Sequence, residues 1–169
     1  MSAPIHDDIS ALGALRGPLM GLDLGTKTIG IAISDGLRMS ATASETIHRS
    51  KFATDAARLQ DIIAGRGIAA VVLGLPRNMD GSEGPRCQST RAFARNLAAR
   101  ITQPIAFWDE RLSTVAAEQA LLAADSSRKR RREVIDKVAA AFILQGALDR
   151  LAEIGRNANE QGYWNADDR

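Results

Sequence analysis

The run Ile68-Ala69-Ala70-Val71-Val72-Leu73-Gly74-Leu75, closed by Pro76, is apolar at every position. A strand without a polar face must be covered on both sides, which is the situation at the centre of a sheet layered between helices. The neighbouring segments supply those layers. PLMGLDLG, from Pro18, is a second short buried strand, and TIGIAIS returns after a turn at Gly25-Thr26-Lys27, so the two predict a hairpin. Residues 40–48, SATASETIH, predict a weaker third strand. Ser50 is placed to cap a helix running to about Gly65, with Phe52, Ala56, Leu59 and Ile63 at helical spacing and Gly65 and Gly67 at its end. Pro85 suits the first turn of a helix reaching Arg100, and PIAFWDE predicts a strand that ends in acids. Ser113 caps a further helix, TVAAEQALLAA, and a last helix is expected from about Glu133 to Ile154. Three strands in meander followed by alternating helices and strands predict an α/β domain with a mixed sheet over residues 18–154. Residues 1–17 are expected to form a flexible lead-in, and 155–169 a polar, frayed tail.

A chain of 169 residues is the size of one domain, and its charge becomes informative only when divided. The net charge is +2, from 22 basic and 20 acidic residues. Five of the basic residues are contiguous, Arg128, Lys129, Arg130, Arg131 and Arg132, and without them 17 basic residues face 20 acidic ones. Such a run is either a solvated loop or an attractor for a polyanion such as nucleic acid. The single cysteine, Cys87, excludes an internal disulfide framework and a cysteine zinc site. No apolar run is long enough for a membrane span, and MSAPIHDDIS has acids where a secretory leader would be apolar. The expected compartment is the cytoplasm, with no membrane partner.

Asp23 stands inside LMGLDLG, where both faces should be buried. An uncompensated carboxylate there costs several kcal/mol or shifts its pKa until it is neutral, so it calls for a cation, a basic partner or backbone N–H groups. Either Asp23 ties down the Gly25–Lys27 turn, or Gly21 and Gly25 let a ligand approach the backbone. Asp136 shares a helical stripe with Ala140, Ile143, Ala147 and Ile154, which is otherwise apolar; alternatively it is an acid favoured near a helix N-terminus. Asp109 and Glu110 close the strand PIAFWDE, and because adjacent strand residues point to opposite faces, one of them can join Asp23 while the other pairs with Arg111 or caps the next helix. Three acids brought together need a cation, and Mg²⁺ takes carboxylate oxygens while keeping waters that substrate phosphate can replace. Two such ions about 4 Å apart can activate water and stabilise the leaving oxygen of a phosphodiester.

Four ordered blocks, GLDLGTKTIGIAIS, VVLGLPRNMDGSEGPR, FWDERLST and RKRRREVIDKVAAAFILQ, resemble the YqgF family of bacterial proteins over about residues 18–154. That family is described as Holliday-junction-resolvase-like and as a nuclease for pre-16S ribosomal RNA. The resemblance implies an RNase H-like three-layer fold, with a five-stranded mixed sheet in the order 3-2-1-4-5 flanked by helices. It also implies a cluster of acids that binds Mg²⁺ or Mn²⁺, as two ions. Carried over by position, its members are Asp23, one of Asp109 and Glu110 with Glu110 favoured, and Asp136. RuvC-type resolvases usually carry their second acid at the end of the fourth strand; here that strand ends in Gly74-Leu75-Pro76, and the acid follows the fifth.

Lys27 and Arg111 are candidates for a scissile phosphate, with surface pairing as the competing role. Asn78, with Asp80 and Ser82, shapes either a substrate loop or only a turn. Arg128, Lys129, Arg130, Arg131 and Arg132 are candidates for the nucleic-acid backbone. Trp108 and Cys87 are expected to pack, and His6 and His48 are given no role. The expected function is metal-dependent phosphodiester hydrolysis, with pre-16S rRNA ahead of structured DNA and with pre-ribosomal particles as further partners. The competing readings are a junction resolvase, a non-catalytic ribosome-assembly factor, and an ATP-handling protein, since DLGTKTIGIAISD also resembles the phosphate-binding turn of actin-like ATPases.

Overall fold

A computed structural model describes residues 2–112 and 128–166, with side chains of the last helix described over 135–162. Its strands are β1 (Ile5–His6), β2 (Leu19–Leu24), β3 (Thr28–Ser34), β4 (Ala41–His48), β5 (Ala70–Leu75) and β6 (Ile105–Asp109). Its α-helices are α1 (Phe52–Arg66), α2 (Pro85–Ala98) and α3 (Arg128–Ala166). The helix expected after Ser113 lies outside the described residues.

The strands form one mixed sheet in the order β1-β6-β5-β2-β3-β4. Most of the all-apolar run before Pro76 forms β5, buried at all six positions between parallel neighbours β2 and β6. The hairpin is present as the antiparallel pair β2–β3, and β4 adds to β3 across a register shift at Ile31/Ala32. One face of the sheet carries Met20, Leu22, Leu24, Ile29 and Ile31 against α1 and α2. The other carries Leu19, Ala32, Val72 and Trp108 against Ala140, Ile143, Leu144 and Ala147 of α3. These are the three layers the alternating pattern requires.

Three expectations are corrected. The sheet has six strands rather than five in the order 3-2-1-4-5, because Ile5–His6 pairs with β6 as an extra edge and shifts every strand number. The lead-in is not loose: a 3₁₀ turn at Ile9–Leu12 buries Ile9 and Leu12, and Arg38 clamps the segment by donating to the Leu12 and Gly17 carbonyls at 2.9 and 2.8 Å. These contacts are made with distant parts of the chain, so no local periodicity announces them. The last helix begins at Arg128 rather than Glu133 and continues to Ala166 rather than Ile154, with residues 155–162 exposed. Helix α1 starts one residue later than a Ser50 cap implies; the Asp55 carboxylate accepts from the Ser50 N–H and hydroxyl, while Gly67 ends the helix at φ +62°. No helix among the described residues is long and apolar enough to cross a membrane.

Candidate active site

Asp23 lies near the end of β2, opposite Gly30 of β3, and its side chain points to the α3 face of the sheet. That face is paved with glycine. A Cβ at Gly21 would come within 2.7 Å of the Leu144 Cβ, and one at Gly30 would collide with the Asp136 carbonyl. Gly21 therefore admits helix α3 and not a ligand, which corrects the sequence-based reading of that residue. The close seating of α3 brings Asp136 down to the sheet, where its carboxylate accepts a hydrogen bond from the Thr28 hydroxyl.

Gly74 decides how a second carboxylate reaches Asp23. A Cβ at this position would lie 2.6 Å from Glu110 Oε1, so the Glu110 side chain fills the space that a fourth-strand side chain would otherwise occupy. Glu110 sits in a short 3₁₀ turn, Glu110–Leu112, just past β6, and folds back over β5 into hydrogen-bond contact with Asp23. The absence of an acid at the end of β5 and the presence of one after β6 are thus two halves of one arrangement.

The pair is electrostatically unlike an ordinary surface couple. Burial, followed by the charges of Glu110 and Asp136, pushes the Asp23 carboxyl up to about 7, and Arg86 only partly opposes this. Burial also raises Glu110 above the usual carboxylate range, against the pull of Arg86. As pH falls below about 7 the pair takes up a proton that the two carboxylates share.

Asp109 is placed differently. Its carboxylate accepts from the Arg111 guanidinium at 2.7 and 3.1 Å and from the Arg111 N–H at 3.0 Å, and these bonds hold its pKa low. The structure therefore brings Asp23 and Glu110 into contact, sets Asp136 beside them on Thr28, and commits Asp109 to Arg111. Among the described residues no three His, Cys, Asp or Glu side chains are gathered closely enough to hold a metal ion.

The remaining candidates scatter around this centre. Lys27 is exposed in the β2–β3 turn, where its carbonyl accepts from the Arg49 N–H. Asn78 closes a turn, donating to the Ser82 hydroxyl at 3.0 Å, while Asp80 accepts from the Ser82 N–H and hydroxyl and Gly81 adopts φ +87°. Asn78 and Arg111 also line an open cleft of ≈ 520 Å³ together with Glu110. Arg128, Lys129, Arg130, Arg131 and Arg132 open α3 within about two helical turns of Asp136; their side chains lie outside the described residues. Trp108 and Cys87 are buried in the two cores, as expected of packing residues. Sequence reasoning gave no role to Arg86, which acts on both carboxylates. One signal was present: a cation in the first turn of a helix opposes the macrodipole and so asks for another reason to be there.

A family model described as "RuvX: Holliday junction resolvase" matches residues 17–150. A protein of Cereibacter sphaeroides named "Putative pre-16S rRNA nuclease" is 66% identical over 158 residues, covering 92% of this chain and 99% of the relative. One of the same name from Roseobacter denitrificans is 65% identical over 157 residues, covering 92% and 96%. Among solved structures, Thermus thermophilus RuvC in complex with a Holliday junction substrate aligns with a TM-score of 0.52 at 12% identity, over 80% of this chain and 96% of that one. The yeast mitochondrial Holliday junction resolvase aligns with a TM-score of 0.52 at 10% identity, over 97% and 86%. Likeness at such low identity is a likeness of fold.

Proposed function

The chain belongs to the RuvX family of Holliday-junction-resolvase-like proteins, and on that premise we propose that it is a divalent-metal-dependent nuclease that processes pre-16S rRNA in the cytoplasm. The observation that carries the chemistry is the half-buried contact between Asp23 and Glu110. Two carboxylates in contact need something positive between them, a proton or a cation. The donors at hand, Asp23 and Glu110 with Asp136 beside them, are all oxygen, which suits Mg²⁺ or Mn²⁺ and not a softer metal. Asp23 and Glu110 would hold the ion, with Asp136 beside them on Thr28. When bound, the ion supplies Lewis-acid polarisation of a phosphodiester oxygen and a more acidic water.

The protein's own residues prepare for this. Gly74 leaves room for Glu110, the Arg111 brace removes Asp109 from competition, and Thr28 fixes the orientation of Asp136. The surrounding apolar core lowers the local dielectric, which strengthens each electrostatic contact made to a phosphate. The arginines and the run Arg128–Arg132 would hold the nucleic-acid backbone. Pre-16S rRNA stands ahead of branched DNA as substrate because the relatives at 65–66% identity carry that name.

The test is incubation of purified protein with a 5′-extended 16S rRNA precursor and, separately, with a four-way DNA junction, in Mg²⁺, Mn²⁺ or EDTA. Cleavage of the rRNA precursor that needs the metal and is lost in Asp23→Asn and Glu110→Gln is expected. Equal cleavage by wild type and both variants would overturn the assignment.

A further inference from the structure

Two clefts share Pro85 and Arg86 as a common wall, and Glu110 lines the larger of them. The larger, ≈ 520 Å³, lies between the Pro76–Met79 loop and Arg111; the smaller, ≈ 320 Å³, lies between the Leu24–Thr26 turn, Arg49 and Ser89. Arg49, Arg77, Arg86 and Arg111 are the charged lining against one acid, Glu110. Three of these arginines are committed. Arg49 donates to the Gly25 carbonyl at 2.7 Å, Arg77 pairs with Glu83 at 3.9 Å, and Arg111 holds Asp109. The Arg86 guanidinium makes no hydrogen bond or ion pair with any described residue, although it is near enough to lower the pKa of both Asp23 and Glu110. Its donors have no partner among the described residues, it borders both clefts, and its position in the first turn of α2 works against the helix dipole. A planar guanidinium in such a place matches the fork geometry of a phosphodiester.

We propose that Arg86 holds a backbone phosphate of a single nucleic-acid strand that runs through both clefts and crosses over Glu110. A cationic groove is how single strands are tracked, and four arginines line these two clefts. The proposal deepens the nuclease reading and rests on it for the meaning of the crossing point, but not for the binding itself.

The experiment measures binding of fluorescent single-stranded RNA and DNA oligonucleotides of one sequence in EDTA, across a salt series, so that neither metal nor turnover enters. Arg86→Ala should bind about tenfold more weakly and flatten the log–log salt slope by about 0.7, the amount for one phosphate contact to a single strand. Arg86→Lys, which keeps the charge, should restore the slope. Arg66→Ala, at the end of α1 and at the opposite end of the sheet, should leave it unchanged. An effect on RNA alone assigns the track to RNA, and an effect on both assigns it to the phosphate backbone. A wild-type slope for Arg86→Ala on both oligonucleotides, in protein with native circular dichroism, overturns the proposal and leaves the nuclease reading to its own test.

Discussion

Replacing Asp23 by Asn should abolish cleavage and at the same time make the protein harder to unfold at pH 8. The Asp23 carboxyl is pushed from its ordinary 3.8 up to about 7 by burial and by its acidic neighbours. Between those values the unfolded chain has released the proton while the folded chain still holds it. The folded state therefore binds more protons, and stability falls as pH rises through this window, levelling off above about 7. The separation between 3.8 and about 7, at ~1.4 kcal/mol per tenfold in proton affinity, makes the full penalty at most ~4 kcal/mol. Asparagine removes the ionisation and keeps a donor for Glu110, so the variant escapes the penalty. Urea unfolding followed by tryptophan fluorescence, in EDTA at half-unit steps from pH 4.5 to 8.5, reads the difference. With a urea slope of about 1–3 kcal/mol/M, the Asn midpoint should exceed wild type by up to ~1–4 M at pH 8 and converge with it towards pH 4.5. Mn²⁺ should close the gap from the wild-type side, since a cation between the carboxylates stabilises only the chain that has both. A midpoint difference that is flat with pH, or a less stable Asn variant at pH 8, refutes the argument that Asp23 is held under electrostatic strain.

Three further outcomes follow from the same geometry. Glu110→Gln should lose at least a hundredfold in metal-dependent cleavage, whereas Asp109→Asn, which only loosens the Arg111 brace, should stay within about tenfold; gel assays on the rRNA precursor rank the two, and the reverse order would exchange their roles. Gly30→Ala should cost about 3 kcal/mol or more, because its Cβ would collide with the Asp136 carbonyl and lift α3 off the sheet, and a thermal melt checks this. Arg38→Ala should cost about 1–3 kcal/mol and speed hydrogen exchange in residues 2–17, since the guanidinium holds the Leu12 and Gly17 carbonyls.

Much of the layering was legible because burial writes itself locally. The all-apolar Ala70–Leu75, the hairpin of β2 and β3, the Pro85 start of α2 and the stripe of Ala140, Ile143 and Ala147 on α3 are each set by residues within a few positions of one another. The same locality concealed Ile9 and Leu12, whose burial comes from elements far along the chain, and misassigned Gly21, whose close neighbour turned out to be Leu144.

The candidate site divides in the same way. The sequence alone determined that Asp23 is a carboxylate inside a buried strand, and that it must therefore be neutralised by something. It also narrowed the second acid to Asp109 or Glu110, with Glu110 favoured, on the expectation that both close a strand, whereas Glu110 lies in the 3₁₀ turn just past it. Only the tertiary structure decided between them. That choice turns on Gly74, one strand over, which vacates the space for Glu110 while Arg111 closes on Asp109. A missing side chain has no meaning in a linear pattern; it becomes a vacancy only once a neighbouring strand supplies the group that fills it.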